Sequence, residues 1–129
     1  MEKVGVVSIW VGNFKSEDEL WEYVDLKYDE ENDDWEESLF LEQFEIDIDD
    51  IDEDFIEKTV RELGNNNINE LLEGCSYEDV VILNIVRLRG QKLDNIFNSV
   101  ILMYNFEYEG GREFNKSDKV EFIGTISYI

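Results

Sequence analysis

Ser99-Val100-Ile101-Leu102-Met103-Tyr104-Asn105-Phe106-Glu107-Tyr108 is the stretch on which the fold turns. Val100, Leu102, Tyr104, Phe106 and Tyr108 recur at every second position, the period at which a strand returns its side chains to one face. Lys119–Ile129 repeats the pattern with Val120, Phe122, Gly124, Ile126 and Tyr128. The polar connection between the two holds Gly110-Gly111. Together they predict a C-terminal β-hairpin with a loop longer than the two-residue minimum.

Outward from this pair, Val4–Val11 is β-branched and apolar on both faces, as suits a central strand covered on two sides. Residues 55–63 read two ways. Phe55, Ile56, Val60 and Leu63 fit a helix, whereas Ile56, Lys58, Val60 and Glu62 alternate with Glu57, Thr59 and Arg61 as in a solvent-facing edge strand; we take the strand. Gly12-Asn13-Phe14-Lys15 turns the chain after the first strand. Ser16-Glu17-Asp18-Glu19 is a capping box opening a helix over about 17–27, with Leu20, Trp21, Tyr23 and Val24 on its apolar side. Ser38 caps a short helix through Phe44. Gly64-Asn65-Asn66-Asn67 breaks the chain, and Ile68–Glu73 is a short helix stopped by Gly74. Ser76, with Asp79 at the capping-box position, opens a helix over 77–89 carrying Val81, Ile82, Ile85, Val86 and Leu88. Arg87 and Arg89 sit near its negative end. Residues 90–97 have no defined state. The predicted architecture is α+β: one domain over residues 1–129, with about four strands in a largely antiparallel sheet packed by helices. At 129 residues and 43% apolar composition, the chain has the material for one core.

The charge is lopsided. Asp29–Asp54 spans 26 residues, 15 of them acidic and none basic. Residues 1–79 carry all of the net −22, and residues 80–129 sum to zero. The acids form two blocks, Asp29–Glu37 and Glu45–Asp54, separated by Leu39-Phe40-Leu41 and Phe44. The first block reads as a loop. In the second, Ile46, Ile48 and Ile51 alternate with Asp, as a short extended piece or a tight irregular loop. Like charge of this density opposes compaction and favours solubility. It repels phosphates and anionic membranes, so neither direct nucleic-acid binding nor membrane docking is expected. Cations and basic proteins are the favoured partners.

Chemistry is sparse. Histidine is absent, which removes Ser-His and Cys-His nucleophilic pairs. No CxxC, GxxxxGK[ST] or GxGxxG motif occurs, no carboxylate pair stands out, and no enzymatic activity or cofactor is expected. A calcium loop needs oxygen ligands at positions 1, 3 and 5, Gly at 6 and Glu at 12. Loops starting at Asp29, Asp47 and Asp50 all lack the glycine. Cys75, the only cysteine, allows no internal disulfide and suits a reducing compartment. It reads as small buried filler rather than as a thiol activated beside a helix start. Met1-Glu2-Lys3 lacks a basic leader region and Val4–Val11 is too short to span a bilayer, so a cytoplasmic location is expected.

Trp35, flanked by Asp33, Asp34, Glu36 and Glu37, has two readings: an anchor folded onto the core, or an interface residue inside a charged rim. Trp10 and Trp21 lie on core-facing patterns. The candidate partner-binding residues are Asp29, Glu30, Glu31, Asp33, Asp34, Trp35, Glu36, Glu37, Asp47, Asp49, Asp50 and Asp52.

Val7-Ser8-Ile9-Trp10-Val11-Gly12-Asn13-Phe14-Lys15-Ser16, continuing Glu17-Asp18-Glu19-Leu20, resembles the opening of the immunity protein 22 family. Tyr28-Asp29-Glu30, Leu71-Leu72-Glu73-Gly74-Cys75-Ser76-Tyr77 and Tyr104-Asn105-Phe106-Glu107-Tyr108 are similar to later landmarks of that family, with Cys75 standing where an aromatic is expected. The resemblance implies a small cytoplasmic α+β protein of a bacterial polymorphic-toxin system that binds and neutralises a cognate toxin. It brings no catalytic residues and no contact residues. With the acidic stretch, it points to an immunity protein that occludes the active site of a basic toxin, a nuclease by preference. The alternatives are a divalent-cation (calcium) binder and an acidic adaptor that mimics nucleic acid.

Overall fold

A computed structural model describes residues 2–36, 38–108 and 120–129. Strand β1 (Glu2–Gly12) is an inner strand of a four-stranded antiparallel sheet, as its two-sided apolar sequence requires. Val7, Ile9 and Val11 enter one core layer and Trp10 the other, because successive side chains leave opposite faces. Along β1 run β5 (Lys92–Phe106) on one side and β6 (Val120–Ser127) on the other. Strand β4 (Ile56–Asn67) closes the far side of β5 as an edge strand, giving the order β4-β5-β1-β6. A separate two-stranded ribbon joins β2 (Lys27–Asp29) and β3 (Asp34–Glu36).

The two C-terminal strands are therefore not a hairpin. They lie in one sheet with β1 between them. Alternation identifies a strand but not its neighbour, and a long connection can step over an intervening strand. Gly110-Gly111 and Lys119 lie outside the described residues.

Neither strand keeps one face throughout. In β5, Val100, Leu102 and Tyr104 join the layer of Ile9, while Ile101 and Met103 join that of Trp10. Asn105 then takes a left-handed backbone (φ 59°), and Phe106 and Tyr108 pass to the Trp10 layer. Its side chain accepts the Gly5 N–H at 3.1 Å, across a slip in the β1–β5 register. In β6 the register slips between Phe122 and Gly124, so Val120 faces the Trp10 layer and Ile126 the Ile9 layer. These bulges reverse the side-chain alternation. Buried Ser8 ties the three strands. Its hydroxyl bonds Phe106 O at 2.7 Å and Thr125 Oγ1 at 2.7 Å, and accepts the Tyr108 N–H at 3.0 Å.

Two pairs of helices cover the sheet. On the Trp10 face lie α1 (Glu17–Val24) and α2 (Leu39–Gln43). Ser16 Oγ accepts the Glu19 N–H at 3.2 Å and Ser38 Oγ the Leu41 N–H at 3.3 Å, so both serine caps form. Helix α1 is shorter than expected because Asp25 is already extended, leading into β2. On the Ile9 face lie α3 (Ile68–Leu72) and α4 (Glu78–Arg89). Gly124 lets α4 approach, since a Cβ there would stand 2.8 Å from Leu88 Cδ2 and 3.0 Å from Ile85 Cδ1.

Three local expectations change. Gly64–Asn67 is the irregular end of β4 rather than a break, and Asn67 Oδ1 caps α3 through the Asn69 N–H at 2.9 Å. Residues 92–97 are the start of β5. Ser76 does not cap α4. Tyr77 holds that position in a left-handed conformation (φ 59°), and Ser76 turns to Glu57 on β4.

Candidate functional site

The first acidic block is not a loop throughout but the β2–β3 ribbon, in which Tyr28 pairs with Trp35 and Asp29 with Asp34. Asp29 organises its turn. One carboxylate oxygen accepts the Glu31 N–H at 3.0 Å and the other an Asn32 Nδ2–H at 2.6 Å. The Asn32 bond, then that from Glu31, holds the Asp29 carboxyl below its usual range. Asp33 supplies a left-handed turn residue (φ 51°), a conformation that Asp tolerates better than most side chains.

The second block is two short 3-10 turns, Ile48–Asp50 and Glu53–Phe55. Each opens with the same device. Asp47 Oδ1 accepts the Asp49 N–H at 2.9 Å, and Asp52 Oδ1 accepts the Asp54 N–H at 3.0 Å. Ile46 is buried in the Trp10 layer, and Ile48 and Ile51 pack partly against it. The isoleucines tie this block to the body while its carboxylates face water.

The two blocks meet. Asp34 and Trp35 from the ribbon, and Ile48, Asp49, Asp52, Glu53 and Asp54 from the 3-10 turns, line one open cleft of about 600 Å³ with Leu26. Trp35 is 54% exposed there, so it is not an anchor buried in the core. Of the sequence candidates, Asp34, Trp35, Asp49 and Asp52 line the cleft. Asp29, Glu30, Glu31, Asp33, Glu36, Asp47 and Asp50 are not among its lining residues, and Glu37 lies outside the described residues. Leu26, Ile48, Glu53 and Asp54 were not candidates; no spacing rule joins Leu26 to residues twenty or more positions away.

Trp10 is fully buried, as expected, but Trp21 is 45% exposed. Lys58 lies 5.8 Å from the centre of the Trp21 ring and pairs with Asp25 at 2.7 Å. Helix α1 thus presents this tryptophan to the edge of the sheet instead of the core.

Beside the acidic cleft, and sharing Asp54 with it, lies a smaller hollow of about 310 Å³ lined by Asp54, Phe55, Ile56, Glu57, Ser76, Tyr77, Tyr104 and Tyr128. The rings of Tyr77 and Tyr128 are 4.8 Å apart, those of Tyr104 and Tyr128 5.2 Å. Glu57 joins the hollow's walls. It accepts the Ser76 N–H at 2.9 Å and the Ser76 hydroxyl at 3.1 Å. The Tyr104 hydroxyl stands 3.0 Å from Glu57 Oε1 and 2.9 Å from Ser76 O, and its one proton serves either acceptor. Burial, then the Glu57 charge, raises the Tyr104 phenol far above its ordinary value. Nothing in the sequence pattern links positions 57, 77, 104 and 128, which only the sheet order and the α4 entry bring together.

Cys75 is pushed up to about 12 by burial and by Glu57 and Glu78, so its thiol stays protonated at neutral pH. Among the described residues no group of three Asp, Glu or Cys side chains converges to hold a metal ion. No described helix is long and apolar enough to cross a membrane.

A family model described as immunity protein 22 matches residues 7–128. The chain belongs to the immunity protein 22 family. Membership carries an immunity function in general terms, with a cognate toxin as the partner. The match takes in both acidic blocks and the tyrosine hollow. No curated protein and no solved structure matches the chain significantly.

Proposed function

We propose that this immunity protein 22 member neutralises its toxin by laying the acidic cleft around Trp35 over a basic active site. The observation that carries the reading is the convergence of both acidic blocks on one exposed tryptophan. A nuclease is the favoured toxin, because enzymes that hold phosphates need a basic cleft. An acidic face competes for that cleft and steers the encounter, with association rates of roughly 10⁸–10⁹ M⁻¹s⁻¹ at low salt. Trp35 supplies the apolar contact, within a rim that excludes water. The protein acts as a stoichiometric inhibitor, without catalysis, in the cytoplasm of the toxin producer.

The test uses the cognate toxin domain and stopped-flow association across a salt series. Asp34→Lys combined with Asp49→Lys is expected to slow association by about tenfold and flatten its salt dependence. Trp35→Ala is expected to raise the dissociation rate by about tenfold while the melting temperature stays unchanged. Unchanged rates and salt slope in both variants would place the contact face elsewhere.

A further inference from the structure

The tyrosine hollow is a different kind of surface from the acidic cleft. Its walls are π faces with two carboxylates, of which Glu57 is held by Ser76 and Tyr104. Tyr77 is 58% exposed and Phe55 46% exposed, so aromatic surface is open to solvent at the mouth. Tyr104 and Tyr128 are held from behind, the first by Glu57 and Ser76 and the second through a 2.6 Å bond from its hydroxyl to Asn105 Oδ1. Tyr77 itself occupies a left-handed backbone position that a bulky side chain seldom adopts. Such conformations persist where the surrounding structure holds them, often at binding sites.

The charged side chains that line the hollow are both carboxylates. Asp54 and Glu57 line the hollow, and Asp54 continues into the acidic cleft. The positive end of α4 begins beside Tyr77. Carboxylates stand near it: Glu78 opens the helix, and in the preceding loop Glu57 accepts the Ser76 N–H and Glu78 the Gly74 N–H at 2.6 Å. An aromatic recess with a carboxylate wall attracts a cation through the ring quadrupole and through charge together. Its volume of about 310 Å³ suits one side chain rather than a domain surface.

We propose that the hollow formed by Phe55, Tyr77, Tyr104 and Tyr128, with Glu57 and Asp54 at its wall, receives a single arginine side chain of the partner. A guanidinium lies flat on tyrosine faces and donates in the plane to a carboxylate, which a lysine ammonium does not do. The hollow then fixes the orientation of a toxin that the acidic cleft has attracted, and so rests on the reading of a basic partner given above.

The test has two arms. In the first, N-acetyl-arginine amide is titrated into the whole protein while the tyrosine ring signals are followed by NMR. The expected result is saturable movement of the Tyr77 and Tyr128 signals, at least tenfold weaker for the neutral isostere N-acetyl-citrulline amide. Tyr77→Asn removes the ring but suits the left-handed backbone, and is expected to weaken the probe at least fivefold, as read at Tyr128; Tyr77→Phe keeps the ring and the binding. The Asp34→Lys/Asp49→Lys protein keeps the probe within about threefold, since those residues lie outside the hollow. Equal movement with citrulline, or no saturable movement, overturns the proposal. In the second arm, Tyr77→Asn raises the dissociation rate of the cognate toxin domain about tenfold and leaves the salt slope of association unchanged. An unchanged dissociation rate overturns the arginine pocket even where the cleft variants slow association. Conversely, probe binding at Tyr77 in a protein whose cleft variants associate normally sinks the acidic-face reading alone.

Discussion

The sheet separates two cores of different chemistry. On one face Trp10 is surrounded by rings, with Phe40 at 4.9 Å, Phe122 at 5.2 Å, Tyr108 at 5.5 Å and Phe44 at 5.9 Å. On the other, Val7, Ile9, Leu71, Ile85 and Leu102 make a mainly aliphatic layer under α3 and α4, in which Phe97 and Tyr104 are the buried rings. The aromatic face carries the acidic segment, and the aliphatic face carries the more regular helix. Helix α4 spans twelve residues and contributes Val81 and Ile85 to its layer. Helix α2 spans only five, far too short to be stable by itself, so Phe40 and Leu41, with Phe44 at its end, must hold it by burial. A few large rings therefore anchor the chain between two blocks of like charge that repel one another.

The strongest way to break this comparison is Trp10→Ala. The ring is fully buried, and its removal is expected to cost about 3–5 kcal/mol in urea unfolding. Native-state hydrogen exchange should then lose protection at residues 38–46 before it does so across α4. Ile85→Ala on the other face is expected to cost about 2–4 kcal/mol, with the order of lost protection reversed. Equal loss on both faces in either variant would show that the layers are one cooperative unit.

Gly124→Ala sharpens the contrast from the aliphatic side. Its Cβ would press on Leu88 and Ile85, at a cost of about 1–3 kcal/mol, and should disturb α4 while the acidic segment keeps its exchange pattern. Ser38→Ala removes the cap of α2 for about 1 kcal/mol, read as a fall in the urea midpoint. Were α2 held by its cap more than by its rings, this variant would approach Trp10→Ala in effect.

The smallest effect at neutral pH comes from buried Tyr108 and half-buried Cys75, which stay protonated in the folded state. Tyr108, on the aromatic face, is pushed up to about 12 by burial and then by the Glu45 charge; Cys75, against the aliphatic face, is also pushed up to about 12. The unfolded chain releases these protons at about 10 and 8.5, so it binds fewer of them than the folded chain above those values. Stability from both groups is complete below the unfolded values and is lost as pH rises towards 12. Urea unfolding between pH 8 and 11 should show this decline. Cys75→Ala is expected to flatten it from about pH 8.5, and Tyr108→Phe only from about pH 10.

Much of the fold was legible because its signals are local. The caps at Ser16 and Ser38 formed because a hydroxyl three residues before an amide reaches it without help from the rest of the chain. The edge strand at β4 was read from residue alternation over 56–62, and it forms although Ile56–Arg61 are all half-buried rather than alternately covered and exposed. Ser76 failed as a cap because Glu57, nineteen positions away, offers its hydroxyl and amide a pair of side-chain oxygens. The acidic residues of the candidate site were legible as a field, but only three of the eleven, Asp34, Asp49 and Asp52, line the cleft with Trp35, since charge composition does not say which carboxylates cap their own turns.

By itself the sequence determined the α+β class, the four strands of the main sheet though not the β2–β3 ribbon, most of the helices and the sign of the surface, because periodicity, caps and charge act over a few residues. The tertiary structure decided what lies next to what. It put β1 between the two C-terminal strands, moved Phe106 and Tyr108 across the sheet at Asn105, closed the acidic blocks around Trp35, and assembled a tyrosine hollow from four distant segments. These outcomes depend on strand order and register, which are set by how two whole layers of side chains fill the space on either side of one sheet.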